Sequence, residues 1–377
     1  MKNVMGLVFA NIYDSSLGQL TNKRTQASLP YGGRYRQIDF TLSNLSNAGI
    51  RHIGIVTQYN FQSLMNHIGS GEEWDLKLEE GGLEFITPYS MGVSNNFRGK
   101  LEAIAAASSA YLARSKEEYI ILADAAVVCA INLDEVIEAH IASGKDVTVV
   151  VKSGIANGRK QLDLAVRLDR EGEVADMAVD YAAGENYLAS MGMFILRKDL
   201  LLESAERCVS RNRYRFEREF ILQDWTSGLL SVGAYEFHNV ALFNESTEEY
   251  FRNSLAIIDR DVRHSLYRDG LTIYTRVRDQ IPCYYGEHSE IDDCIVADGC
   301  VLLGTAINSV LFRGVKLSNG AMVKNCVIMA DCEIGIGAQL EYCILDKDVK
   351  INAGVKLIGT MEHPVILNRG DVVGKSP

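Results

Sequence analysis

The chain has 377 residues, 47% of them hydrophobic, which is enough to bury a large core and, by size, to divide into two domains. Its formal net charge of -11 argues against a nucleic-acid or anionic-membrane surface as the main partner, because both require a basic face to displace counterions. A local basic patch for a small phosphorylated molecule is compatible with that charge. The opening run, MKNVMGLVFANIYD, meets Asn11 and Asp14 too soon to be a signal peptide or a spanning helix, so a cytoplasmic chain without a membrane partner is expected. The eight cysteines, at 129, 208, 283, 294, 300, 326, 332 and 343, show no CxxC pair and no zinc-type His spacing; reduced structural thiols are expected.

In chain order, VMGLVFA, HIGIVTQ, YIILAD and DVTVVV read as buried parallel strands, and FTLSNLSNAG and LEAIAAASSAYLARS between them have the apolar spacing of helices. That pattern predicts a three-layer α/β sheet, with ligands at the carboxyl ends of the strands, in the loops after Phe9, Thr57 and Leu122. LASMGMFILRKDLL adds a strand and a helix, and FEREFILQDWTSGLLSVGAYEF a helix running into a last strand. This places an α/β domain at 1–240 and a linker with a helix at 241–285.

From about Ile281 an aliphatic residue returns roughly every six positions, with Gly, Asn or Asp at the bends; Ile334 to Leu340 and Val349 to Val355 show the step. A hexapeptide repeat of this kind predicts a β-helix over 286–377, in which each flat face is one short strand and aliphatic side chains stack inside. An antiparallel β domain would instead alternate every two residues between hairpin turns. Cys294, Cys300, Cys326 and Cys332 fall in the same rhythm and read as small interior fillers.

The segments TNKR, LPYGGRYRQIDFTLSNLSNAGIRHIGIVTQY and SLMNHI, followed by LASMGMFIL and the hexapeptide repeat, closely resemble ADP-glucose pyrophosphorylase (glucose-1-phosphate adenylyltransferase) along essentially the whole chain. The resemblance implies a Rossmann-like nucleotidyltransferase domain, a left-handed parallel β-helix, a tetramer and a place in bacterial glycogen synthesis. It also shows where the chain departs. The family's phosphate loop, AGGxGTRLxxLTxxRAKPA, falls on Ala10 onward, and its glycines become Asn11, Ile12 and Asp14. Those glycines let backbone N–H groups approach a triphosphate; an isoleucine blocks the approach and Asp14 adds a negative charge.

By the same alignment the family's catalytic arginine falls on Ser16 and its AKP lysine on Gln26, removing two cations that would neutralise phosphate charge. Its GTADA motif falls on Gly99 to Ala103, its FVEKP lysine near Asp180, and its second metal-binding aspartate on Phe243. Asp124 alone survives as a carboxylate for Mg²⁺, which would be the cofactor of any remaining activity, and one aspartate does not make such a site.

The expectation is a regulatory or structural subunit with a degenerate active site, resembling the non-catalytic second chain of some Gram-positive enzymes and acting in a hetero-oligomer with a catalytic paralogue. The alternative is an active adenylyltransferase with a divergent loop. A third reading, a sensor or acyltransferase-like β-helix, has only His288 and His363 in or beside the repeat to support it. Arg34, Arg36 and Arg51 lie where the family carries basic residues at an effector site, and Arg369 could join them; a sugar phosphate or inorganic anion is the expected ligand.

Overall fold

The computed structural model describes residues 3–12, 17–77, 81–154, 163–180 and 186–374. The chain forms two compact units, each assembled from several segments: one from 1–14, 40–241 and 268–274, the other from 15–39, 242–267 and 275–377.

The first unit is built on a nine-stranded mixed sheet. Its strands are β1 (Val4–Phe9), β2 (His52–Val56), β3 (Gly82–Ile86), β4 (Tyr119–Asp124), β5 (Val147–Lys152), β6 (Ala165–Leu168), β7 (Val174–Ala178), β8 (Leu188–Arg197) and β9 (Val232–Glu236). β1 lies between β4 and β2, parallel to both, and β3 pairs parallel with β2. The apolar runs expected to be parallel strands therefore are, and they are buried on both faces. β8 enters between β4 and β5 antiparallel to both, and β9 runs parallel to β5. Helices α1 (Gln37–Asn47), α2 (Gln62–Ile68), α3 (Lys100–Ser108), α4 (Leu133–Ser143) and α5 (Lys198–Val209) connect the strands, α3 packing beside α5. β1 and β4 end in register, Phe9 opposite Asp124, so the loops that follow them open at one edge of the sheet.

The second unit is a parallel β-helix with two helices and an N-terminal segment on one side. Its three faces are sheets of six, five and five short strands. Leu302, Leu317, Ile334 and Ile351 stack along the first face, Ala306, Val323 and Leu340 along the second, and Leu311, Ile328 and Leu345 along the third, all buried. Burial of these ladders drives the fold, each coil covering the apolar face of the next. Cys300, Cys326 and Cys332 are buried among them, Cys294 packs against them, and all eight cysteines are free thiols.

Each corner of the coil needs a residue with positive φ. One column is Asp293, Asn308, Asn325 and Tyr342, with φ of 45°, 44°, 51° and 51°; another runs Gly314, Asp331, Asp348. Asn and Asp tolerate this region best after glycine, which is why the bends carry them. Asn308 Nδ2 donates to Asn325 Oδ1 at 2.6 Å, a side-chain rung between coils.

On the third face the alternate residues Val310, Val327 and Ile344 point away from the interior and are still fully buried. Helix α6 (Thr247–Ala256) packs against Val327–Ile328, and α7 (Arg260–Leu266) follows it. Ser246 Oγ caps α6 by accepting from Glu249 N, and Asp259 caps α7 through Asp261 N and Val262 N. The segment 15–39 is held to the same side: Tyr250 Oη donates to Pro30 O at 2.6 Å, Tyr31 Oη to Asn253 O at 2.7 Å, and buried Arg24 pairs with Asp346.

Candidate functional site

At the end of β1 the chain has to leave the sheet, and Asn11 fixes how it does so. Its Oδ1 accepts from Thr57 Oγ1 and Gln58 N, both at 2.9 Å, its Nδ2 donates to Tyr59 O at 2.9 Å, and it is 6% exposed. Gln58 Nε2 returns the contact, donating to the carbonyls of Asn11 and Ile12 at 3.2 Å. Ile12 is turned into the hydrophobic core with Phe9 and Val56. A phosphate-holding loop presents its backbone N–H groups to an open space; here side chains pin the first two loop residues into the protein. Asp14 and Ser16 lie outside the described residues.

Asp124, the last residue of β4, faces a partner that the sequence reading did not single out. Lys100 opens α3, and its Nζ sits 2.7 Å from Asp124 Oδ2 and 2.6 Å from Glu217 Oε1, with its side chain 3% exposed. Glu217 begins a π-helical turn, Glu217–Leu222, a distortion frequent at functional sites. Phe216 anchors that turn between Phe194 and Phe220, with centroids 5.0 and 5.4 Å away, and Leu101 N donates to Tyr214 O, tying the start of α3 to the approach of the turn. The Phe9 ring lies 5.3 Å from the ammonium. Gly192, in the bulge of β8, has φ of 66°, and a Cβ there would fall 2.4 Å from Asp124 Oδ2. Burial pushes the Asp124 carboxyl up to about 6, against the pull of Lys100 and with the Glu217 charge adding to the rise.

Mg²⁺ requires oxygen ligands at about 2.0–2.1 Å in a near-octahedral shell. Asp124, the one carboxylate expected for it, instead shares an ammonium with Glu217, so the residues present do not fit the ion. Among the described residues no group of three or more His, Cys, Asp or Glu could hold a metal. Asp180, near the position where the family carries its sugar-phosphate lysine, pairs with Arg215 at 2.9 Å and Arg218 at 2.6 Å.

The remaining positions named from the sequence separate between the two units. In the second unit Gln26 Nε2 donates to Asn244 O, beside buried Phe243, whose carbonyl accepts from Asn253 Nδ2 at 2.7 Å. Arg34 and Arg36 are also there. Arg34 is exposed, 5.7 Å from the Tyr35 ring, whereas Arg36 is buried and its backbone N–H donates to Asp39 Oδ2. Burial lowers the Arg36 guanidinium to about 10; Asp39 opposes this, and Arg24, Arg278 and Arg276 add to the fall. The Lys347 ammonium is lowered to about 8 by burial, then by Arg36, Arg24 and Arg278. Arg313 is depressed by burial and by Arg34 and Arg278.

Arg36, Lys347 and Arg313 thus each feel the charge of neighbouring cations, Arg278 acting on all three. Arg24, Arg276, Arg278, Arg313 and Lys347 were not named from the sequence; the alternate arginines of YTRVRDQ were the visible signal. Arg369 instead bonds Asp348 at 2.9 Å at the surface. Arg51 belongs to the first unit, where Nη1 donates to Ser46 O at 2.8 Å and Nε lies 3.4 Å from Asp75.

Comparison with known proteins agrees with this architecture. The nucleotidyl transferase family model matches residues 14–239, and a model of GlmU-like C-terminal hexapeptides matches 282–363, the left-handed parallel β-helix. The chain is 32% identical over 379 residues to the glycogen biosynthesis protein GlgD of Bacillus subtilis (strain 168), covering 99% of this chain and 97% of that protein. It is 34% identical over 372 residues to GlgD of Geobacillus stearothermophilus, covering 99% and 98%. The glucose-1-phosphate adenylyltransferase of Fervidobacterium nodosum is 29% identical over 339 residues, 89% of this chain and 80% of that enzyme. No helix among the described residues is long and apolar enough to cross a membrane. With a Rossmann-like sheet, a β-helix of hexapeptide repeats and relatives matched from end to end, the chain belongs to the ADP-glucose pyrophosphorylase family of nucleotidyltransferases.

Proposed function

We propose that this chain is a regulatory or structural subunit of a glucose-1-phosphate adenylyltransferase, serving ADP-glucose synthesis for glycogen in the cytoplasm, with its own active site degenerate. The observation that carries the reading is the state of the sheet edge, where Lys100 takes the one surviving carboxylate and Asn11 and Ile12 are built into the core. Adenylyl transfer needs cations on the phosphates and a metal bridging them; among the described residues no group could hold the metal, and Lys100 is taken up by two carboxylates. The names of the GlgD relatives support the link to glycogen.

The partner is a catalytic paralogue, in a hetero-oligomer of tetrameric size, and the regulatory ligand is a sugar phosphate or inorganic anion held by Arg34, Arg36 and the cations around them. A cluster of like charges that is buried at Arg24 and Arg36 and exposed at Arg34, Arg276 and Arg278 is stabilised by a multivalent anion, since guanidinium groups pair bidentately with phosphate oxygens. Arg51 and Arg369 have internal partners and contribute less to such binding.

The test is pyrophosphate release from ATP and glucose 1-phosphate with Mg²⁺, by the chain alone and co-purified with the paralogue. Negligible turnover alone, unchanged on placing arginine at Ser16, and altered effector response of the complex are expected, because groups acting on one transition state are strongly non-additive. Turnover at an ordinary enzymatic rate by the unmodified chain would make it a divergent active enzyme instead.

A further inference from the structure

Two carboxylates brought to one point from positions 24 and 117 residues away in sequence from the lysine that joins them are an arrangement the fold has to hold against repulsion. The usual solution at the carboxyl edge of a nucleotide-binding sheet is a dissociable divalent ion. This chain uses a side chain. We propose that the Lys100 ammonium is the resident counter-cation of the Asp124–Glu217 pair, occupying the place of a divalent ion, so that the unmodified chain binds no Mg²⁺ or Mn²⁺ at Asp124.

Geometry carries the proposal. The ammonium reaches both carboxylates at hydrogen-bond distance, and its side chain is 3% exposed, so it does not exchange for water as a surface lysine does. Gly192, in the bulge of β8, leaves Asp124 the space in which it meets the lysine, since a Cβ there would fall 2.4 Å from Oδ2. The Phe9 ring lies close to the ammonium from β1. A divalent ion could enter only by displacing the ammonium from both oxygens and leaving it buried next to two further positive charges, which is unfavourable at such separations.

The prediction concerns the chain alone and needs neither activity nor a partner. Mn²⁺ binding to the full chain is measured by titration calorimetry and by the spin resonance of free Mn²⁺, for the unmodified protein and for Asp124→Asn, Lys100→Met, Lys100→Gln and Lys100→Met combined with Asp124→Asn. The unmodified chain and Asp124→Asn should be indistinguishable. Removing the ammonium should create a Mn²⁺ site tighter by ~10-fold or more, as ligand charge predicts, and the added Asp124→Asn should abolish it.

A Mn²⁺ site in the unmodified chain that Asp124→Asn removes would overturn the proposal, as would a folded Lys100 variant that gains no affinity. Should both Lys100 variants fail to fold, the comparison of the unmodified chain with Asp124→Asn still decides. An inactive chain that binds Mn²⁺ at Asp124 would overturn this inference and leave the proposed function standing.

Discussion

At the scale of single residues, the loop after β1 is held by a buried amide that has no substitute. Asn11→Leu keeps the volume and removes three hydrogen bonds, stranding Gln58 N and Tyr59 O in a buried setting. It should cost about 2–3 kcal/mol in urea denaturation, the penalty of buried groups left unpaired. Lys347 provides a second residue-level expectation, with its sign fixed by linkage. Its folded value is about 8 against 10.5 ordinarily, so between those pH values the unfolded chain binds more protons and stability from this group rises with pH. The melting temperature of the unmodified chain should therefore gain on that of Lys347→Met as pH goes from about 8 to 10.5. Phosphate bound beside the lysine would restore its proton. Calorimetry near pH 8 in buffers of different ionisation enthalpy should then show proton uptake on phosphate binding, and no uptake in Lys347→Met.

At the scale of elements, the corner column of the β-helix contains one misfit. Asn and Asp supply the positive φ at 293, 308 and 325, but Tyr342 adopts φ of 51° with a bulky side chain. Tyr342→Asn should raise stability by about 0.5–1 kcal/mol in denaturant titration, relieving a cost of about 1–2 kcal/mol for a left-handed residue in part. It could also extend the rung between Asn308 and Asn325. These elements also show how far the sequence could be read. Aliphatic stacking at Ile334 and Leu340 was legible because each hexapeptide carries its own inward side chain, and β1, β2, β4 and β5 because buried parallel strands are apolar without a break. The Lys100–Glu217 pairing was not: it spans 117 residues and depends on a π-helical turn, which has no local period to announce it. Likewise YTRVRDQ shows its arginines, but only the folded coil brings Lys347 within their field.

At the scale of the molecule, the second unit is stitched from three distant segments, and the Arg24–Asp346 pair is one of the stitches. Both side chains are under 10% exposed, 8% and 7%, so removing one partner strands a buried charge. Arg24→Met should destabilise that unit by about 3–5 kcal/mol, whereas replacing Asp346 as well, with leucine, should recover much of the loss. Thermal unfolding of the two variants and of the single Asp346→Leu closes the cycle. A fragment limited to 286–377 would uncover Val327, since α6, which packs against Val327–Ile328, is absent from it. Such a fragment should bind a hydrophobic dye strongly, and adding back 242–285 should reduce that binding.

The same stitching sets a clock on biosynthesis. Arg24 leaves the ribosome 322 residues ahead of Asp346, so at ordinary elongation rates it waits about 16 to 64 s for its partner. Throughout that interval Ala27, Leu29 and Tyr31, all fully buried in the finished protein, have no surface to settle on. Nascent chains stalled before the coils are made should therefore be caught by holding chaperones through residues 26–31, and released when translation passes the last coil.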